Sequence, residues 1–173
     1  METVVFGGGC FWCTEAVFKM LKGVQMVEPG YSGGTKENPT YEQVMGGNTG
    51  HAEVIKVEYD PHTVAFEELL QVFFASHDAT QLNRQGPDVG TEYRSAIFYT
   101  TGRQQEKAQH YIDVLNKGAM QKIVTEVKPL DAFYPAEDYH KNFYESGRRP
   151  DYCEIVIDPK IEKVRSKFKS ILK

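Results

Sequence analysis

Along this chain the spacing of apolar residues switches repeatedly between two and about 3.6, and that alternation limits the available folds more than any other feature. Thr3-Val-Val-Phe6 reads as a strand running into Gly7-Gly-Gly9, and Cys10 to about Leu21 as a helix closed by Gly23. Val24 to Val27 is a second strand, Pro29 to Pro39 a loop, and Tyr41 to Met45 a single helical turn. His51 to Tyr59 alternates as a strand, while Phe66, Leu69, Leu70, Phe73 and Phe74 hold the spacing of an amphipathic helix. A long polar loop over 77–92 leads into a strand from Tyr93 to Tyr99. Thr101 with Gln104 then resembles a capping box, opening a helix whose core face is Ala108, Tyr111, Ile112 and Leu115. Ile123 to Val127 and Glu154 to Ile157 read as further strands, and Asp158-Pro159 starts a last helix. Interleaved strands and helices predict an α/β or α+β sandwich, with one domain over residues 1–173.

The chain has 173 residues, 40% hydrophobic and 25% charged, close enough to the globular norm to set aside disorder, collagen and coiled coil. Thr3 to Phe6 is too short for the core of a secretory signal, and no apolar run approaches the roughly 20 residues of a membrane helix. Both point to a cytoplasmic protein without a membrane partner. Three cysteines make a poor disulfide scaffold, so in a reducing compartment the thiols read as chemistry or core. A basic helix is expected at about 159–173, where six Lys and Arg face only Glu162. No aromatic residues interleave as in strand-binding modules, so a solvated face is preferred to a nucleic-acid site.

Gly7-Gly-Gly-Cys10-Phe-Trp-Cys13 is the most informative stretch. A cysteine at a helix N-terminus feels the positive end of the dipole, which lowers its pKa, and Cys13 lies about one turn on. Zinc would need four ligands in pairs, and only Cys153 and five dispersed histidines remain, so no metal is expected. A glutaredoxin-like thiol exchanger also uses Cys-x-x-Cys, but Phe11-Trp12 is an unusual filling. Buried inert thiols are the third possibility. Sulfoxide reduction is the fourth, and it fits the aromatics. It needs a thiolate to attack sulfur, an apolar surface for the methyl group and an acid to protonate the oxygen. Cys10 supplies the first, Phe11 and Trp12 the second.

Glu53 is a candidate acid. Strand alternation puts it on one face with Ile55 and Val57, whereas Glu58 shares a face with Lys56. Burial among apolar neighbours raises a carboxyl pKa and keeps the proton needed for donation. A Glu at a frayed strand end would read the same. Tyr41 and Tyr93 flank Gly-rich or polar loops, and Asp88 follows Pro87, where it could equally be a turn residue.

Seven segments taken together carry a resemblance. They are Gly9-Cys-Phe-Trp12, Gly30-Tyr-Ser-Gly-Gly34, Pro39-Thr-Tyr41, Gly50-His-Ala-Glu-Val54, Gln81-Leu-Asn-Arg-Gln-Gly-Pro-Asp88, Gly90-Thr-Glu-Tyr-Arg-Ser95 and Phe133-Tyr-Pro-Ala-Glu-Asp-Tyr-His140. In this order, over nearly the whole chain, they resemble the A-type peptide methionine sulfoxide reductases. The resemblance implies a ferredoxin-like two-layer sandwich with a mixed sheet, acting on the S epimer of free or protein-bound methionine sulfoxide. It implies thioredoxin as reductant and no cofactor; a monomer is expected. By the same resemblance Cys10 is the nucleophile, Phe11 and Trp12 form the methyl pocket, and Glu53 protonates the oxygen. Tyr41 and Tyr93 hydrogen-bond that oxygen, and Asp88 helps hold the substrate backbone.

Position 13 is usually Gly in that family and is Cys here. Many members instead keep recycling cysteines in a Gly-rich C-terminal tail, whereas this chain has none after Cys153. Cys13 is therefore expected to resolve the sulfenic acid, and Cys153, entering an expected strand, to be a buried thiol. A redox-sensing module without turnover is the alternative, although it would not need Glu53.

Overall fold

In the computed structural model, which describes residues 1–173, Val4, Val5 and Phe6 are wholly buried because their strand, β1 (Glu2–Gly8), has a neighbour on each side. β2 (Val24–Ser32) and β3 (Ala52–Tyr59) form an antiparallel pair, and β3 runs antiparallel to β1 with Ile55 opposite Phe6. On the other side of β1 lies β6 (Ser95–Tyr99), with Ile97 opposite Phe6. Short strands β7 (Glu126–Pro129) and β8 (Phe133–Pro135) close the edges, giving the order β7-β6-β1-β3-β2-β8. Only β6 and β7 pair in parallel, so the sheet is mixed. A separate hairpin, β4 (Arg84–Gln85) and β5 (Asp88–Val89), breaks the long loop before β6.

Alternation along the strands divides the apolar residues between two faces. Val4, Phe6, Ile55, Val57, Tyr59 and Ile97 belong to the larger core, under α1 (Phe11–Phe18), α3 (Phe66–Ser76) and α7 (Asp158–Lys167). Phe6 lies 4.7 Å from Phe73 and 5.2 Å from Phe18, so aromatic contacts join β1 to both α1 and α3. Full burial of one such ring contributes roughly 1.5–3 kcal/mol. The opposite face carries the smaller set Val5, Ala52, Val54, Ala96 and Phe98. In α1 all residues but Trp12 are buried. A helix with so little polar surface must be covered on all sides, and the C-terminal segment covers what the sheet does not.

α2 (Tyr41–Met45) opens on a complete capping box between Thr40 and Gln43. α4 (Gly102–Asn116) packs on α3, with Tyr111 stacked 5.3 Å from Phe74. Its cap is only half the expected box: Thr101 accepts from the Gln104 amide, but the Gln104 side chain accepts from Thr100 instead. Ala108 and Ile112 are buried as expected, whereas Leu115 is exposed.

Several expected boundaries move. Pro29 to Ser32, read as loop, continues β2, because β3 and β8 supply partners on both sides. Glu154 to Ile157, read as a strand, is helical. After a short helix α5 (Phe143–Ser146), Pro150 starts α6 (Pro150–Tyr152), a wide π-type turn follows over Cys153–Ile157, and α7 continues directly. Pro at the first position presets helical φ, and the buried Cys153 and Ile157 turn into the core from that helical path. Asp158-Pro159 therefore lies inside a continuing helical path. The basic helix ends at Lys167 rather than near Lys173, and Lys169–Ile171 forms a short 3-10 turn that brings Leu172 to Leu21. No helix is long and apolar enough to cross a membrane.

Candidate active site

β1 delivers the chain to α1 through Gly9, whose φ of +91° suits glycine. A Cβ there would meet the Gln85 side chain at 2.7 Å, so the residue also lets the β4–β5 hairpin close on the junction. Cys10 follows as the N-cap of α1, only 8% exposed, and all three cysteines are free thiols.

The amide of Phe11 donates to Glu53 Oε1 at 3.0 Å. This bond joins the first turn of α1 to β3, and it brings the expected nucleophile and the expected acid together. Glu53 is 1% exposed and pairs across the strands with Tyr31. Burial pushes its carboxyl well above the usual range, against the opposing pull of the Phe11 amide; Asp88 and Glu92 add to the rise. Glu53 therefore rests as the neutral acid.

The thiol pair departs from expectation. The helix N-terminus predicts a lowered Cys10, but burial pushes it up, with help from Cys13 and Glu53, and the Trp12 amide only partly opposes them. Cys13 is the lowered partner, because Cys10 donates to it; Tyr152 and Lys160 also favour its charged form. Of the two thiols, Cys13 is the easier to ionise and Cys10 the harder. Desolvation outweighs the dipole here, since the site is sealed rather than open to water.

An aromatic wall surrounds the pair. Phe11 is fully buried, between Tyr31 at 5.7 Å and Tyr41 at 6.5 Å. The half-buried Trp12 stacks on Phe143 at 3.7 Å and 5°, and meets Tyr152 edge-on at 5.7 Å. Tyr41 and Tyr93 are half-buried, and burial and the neighbouring Glu53 raise both phenols, so they remain donors. The Tyr93 hydroxyl donates to Met45 Sδ at 3.3 Å. Asp88, on β5, accepts from Tyr152 at 3.0 Å, and Tyr152 lies 3.9 Å from Cys13 Sγ.

The expected residues thus come together, with others that sequence reasoning missed. Glu137 accepts from the Tyr31 hydroxyl and the Tyr41 amide, both at 2.8 Å, fixing α2 beside the site. His140 accepts the Trp12 indole, and Phe143 and Tyr152 complete the wall. The segment around Glu137 and His140 stood among the resembling motifs without a role; nothing in the spacing of Phe143 or Tyr152 singled them out. Cys153, expected in a strand, is a buried residue of the helical path just beyond Tyr152. No group of three or more His, Cys, Asp and Glu side chains converges to hold a metal ion.

Comparison with known proteins bears on this geometry. The family model described as peptide methionine sulfoxide reductase matches residues 2–172. A protein of Picrophilus torridus named peptide methionine sulfoxide reductase MsrA is 54% identical over 170 residues, 97% of this chain and 96% of that one. The crystal structure of Mxr1 from Saccharomyces cerevisiae in reduced form is similar at TM-score 0.79 and 34% identity, covering 84% of each chain. Mxr1 in complex with Trx2 is similar in fold at TM-score 0.58 and 22% identity, covering 82% of this chain and 84% of that one.

A raised carboxyl pKa has a consequence for stability. Between the ordinary value of 4.5 and its folded value, Glu53 binds one more proton in the native state than in the unfolded chain. Its contribution is fully present below pH 4.5 and declines above it by about 1.4 kcal/mol per pH unit until the folded pKa is passed. Glu53→Gln keeps the acceptor for Phe11 and removes this dependence. Urea unfolding from pH 4 to 8 is expected to show the variant gaining on the wild type as pH rises; parallel profiles would mean that Glu53 is already ionised.

Proposed function

Since the chain belongs to the peptide methionine sulfoxide reductase family, we propose that it reduces methionine S-sulfoxide by attack of Cys10 on the sulfoxide sulfur. The observation that carries this is the buried junction where the residue after Cys10 is hydrogen-bonded to a carboxyl held neutral by its surroundings. Phe11 and Trp12 take the methyl group. Tyr41 and Tyr93 donate to the sulfoxide oxygen, Tyr93 exchanging its Met45 contact for that oxygen. Asp88, oriented by Tyr152, receives the substrate backbone.

As Cys10 attacks, Glu53 protonates the oxygen leaving sulfur and takes up the Cys10 proton in its place. The S–O bond breaks, oxygen ends on Cys10 as a sulfenic acid, and methionine departs. In sum, sulfoxide plus thiol gives methionine plus sulfenic acid. Cys13 then attacks the Cys10 sulfur, releasing water and forming a disulfide. An external dithiol restores both thiols by exchange. Thioredoxin is the reductant this reading assigns, supported by the structure of yeast Mxr1 with Trx2.

The same reading makes the architecture ferredoxin-like; the inner order β6-β1-β3-β2, with α1 and α3 as its crossovers, supports it. It also takes residues 1–173 as one domain, supported by a core cluster running from Val4 to Phe168. A cytoplasmic monomer accepting free or protein-bound substrate completes it, with the three reduced thiols in keeping.

With racemic methionine sulfoxide and dithiothreitol, the wild type is expected to consume one epimer and Cys10→Ser neither. Glu53→Gln should slow turnover by roughly a hundredfold or more, the usual contribution of a general acid. Full activity in either variant would remove that residue from the mechanism. Peptide mapping after one turnover without reductant should find Cys10 joined to Cys13. A Cys10–Cys153 linkage as the main product would assign resolution to Cys153 instead.

A further inference from the structure

The basic stretch at the end of the chain takes no part in sulfoxide reduction itself. Six Lys and Arg against Glu162 give residues 159–173 a net +5, leaving −9 for the rest of a chain whose net charge is −4. α7 sorts these charges by face. Ile161 and Val164 are buried in the core, and on one flank Arg165 is paired with Glu162 at 3.3 Å. Lys160, Lys163 and Lys167, spaced i, i+3 and i+7, share the other flank. Lys160 is half-buried, Lys163 and Lys167 are exposed, and none of the three forms an ion pair.

This stripe edges a groove between α7 and the end of α3. Lys160 and Lys163 line one hollow of it with Gln85, Lys167 lines the adjoining one, and both hollows reach His77 and Asp78. The Asp78 carboxylate is turned to Thr80, accepting from its amide and its hydroxyl, and burial keeps His77 neutral by lowering it to about 4. The lysines are therefore not neutralised from the facing wall. At one end the groove meets Gln85, whose side chain covers Gly9, the residue before Cys10. Lys160 also favours the charged form of Cys13, so the stripe begins beside the cysteine pair.

A disulfide is reduced by attack of a thiolate and expels a thiolate. Cys10 is the more exposed of the pair, at 8% against 1%, and Cys13 is the easier to ionise. A partner's thiolate attacks Cys10 to form a mixed disulfide, the Cys10–Cys13 bond breaks, and Cys13 leaves as the thiolate. The partner's second thiolate then displaces Cys10 and closes the partner's own disulfide. Two electrons pass to the enzyme, and the two protons lost by the partner end on Cys10 and Cys13. Both steps bring negative charge to a body that is itself negative outside residues 159–173. We propose that Lys160, Lys163 and Lys167 dock the acidic face of the dithiol protein that reduces the enzyme, steering its thiolate to the Cys10–Cys13 disulfide. This rests on the reading of that disulfide as the oxidised state.

Two dithiol peptides with the same Cys-x-x-Cys core, one flanked by glutamates and one by lysines, test this on the full-length protein oxidised by methionine sulfoxide. Quenching with a maleimide and weighing the protein gives the rate of reduction by each peptide; digestion of the oxidised protein shows which cysteines were joined. At low salt the Glu-flanked peptide should be about tenfold faster, although most of the chain is negative. High salt should shrink that advantage to about twofold or less. Lys163→Glu combined with Lys167→Glu should reverse the preference, while reduction by uncharged dithiothreitol stays within about twofold of wild type. A wild type that shows no preference, or prefers the Lys-flanked peptide, overturns the proposal. So does a folded variant that keeps the wild-type preference; if it instead loses turnover of acidic methionine sulfoxide peptides under dithiothreitol, the stripe serves the substrate. If the variant does not fold, the wild-type preference and its loss with salt decide. A joined pair other than Cys10 and Cys13 would count against Cys13 as the resolving thiol, while the ratio of rates still decides the role of the stripe.

Discussion

The hydrogen bond from the Phe11 amide to Glu53 is the constraint on which the site depends. One end is the first turn of a helix, where amides lack intrahelical partners. The other end is a carboxyl inside the sheet, where a charge would be costly. Each supplies what the other lacks. The helix gains an acceptor, the carboxyl gains a donor, and Cys10, one residue before the amide, is brought beside Glu53. The bond needs Glu53 on the helix-facing side of β3, so strand register and site geometry are one requirement: a slip of one residue would turn Glu53 to the opposite face.

Around this junction three parts of the chain converge. The β4–β5 hairpin brings Asp88, α2 brings Tyr41, and the segment after β8 brings Glu137, His140, Phe143 and Tyr152. The last is the largest contribution, and it explains why α1 can be apolar on nearly every side. Glu15 of α1, also buried, accepts from the Asn142 amide and so ties that segment down from below. Sealing the site in this way raises Cys10 and Glu53 together, which suits a reaction that starts from a neutral acid beside a protonated nucleophile.

What the sequence made legible was whatever local pattern determines. The face of Glu53 followed from period two, α3 from its spaced apolar residues, and Cys10 from the glycines before it. The C-terminal third was harder to read. Ile155, Val156 and Ile157 are β-branched and look like a strand, but Pro150 sets a helix, and Cys153 and Ile157 turn into the core. β8 is only three residues long, held by its pairing with β2 rather than by its own pattern. Glu137 and His140 act through partners about 100 residues away or more, which no local spacing could reveal. Cys10 is raised against the local expectation for a related reason: the dipole is a local feature, whereas burial is set by the whole fold.

The central claim is that Cys10 itself takes the sulfoxide oxygen. The most direct measurement uses a Cys13→Ser, Cys153→Ser double variant, given excess methionine sulfoxide without reductant, quenched with dimedone and digested for mass spectrometry. The account predicts about one methionine per protein, as a stoichiometric oxidation of one thiol requires, and a dimedone adduct confined to Cys10. Methionine formed with no adduct on Cys10 would contradict it.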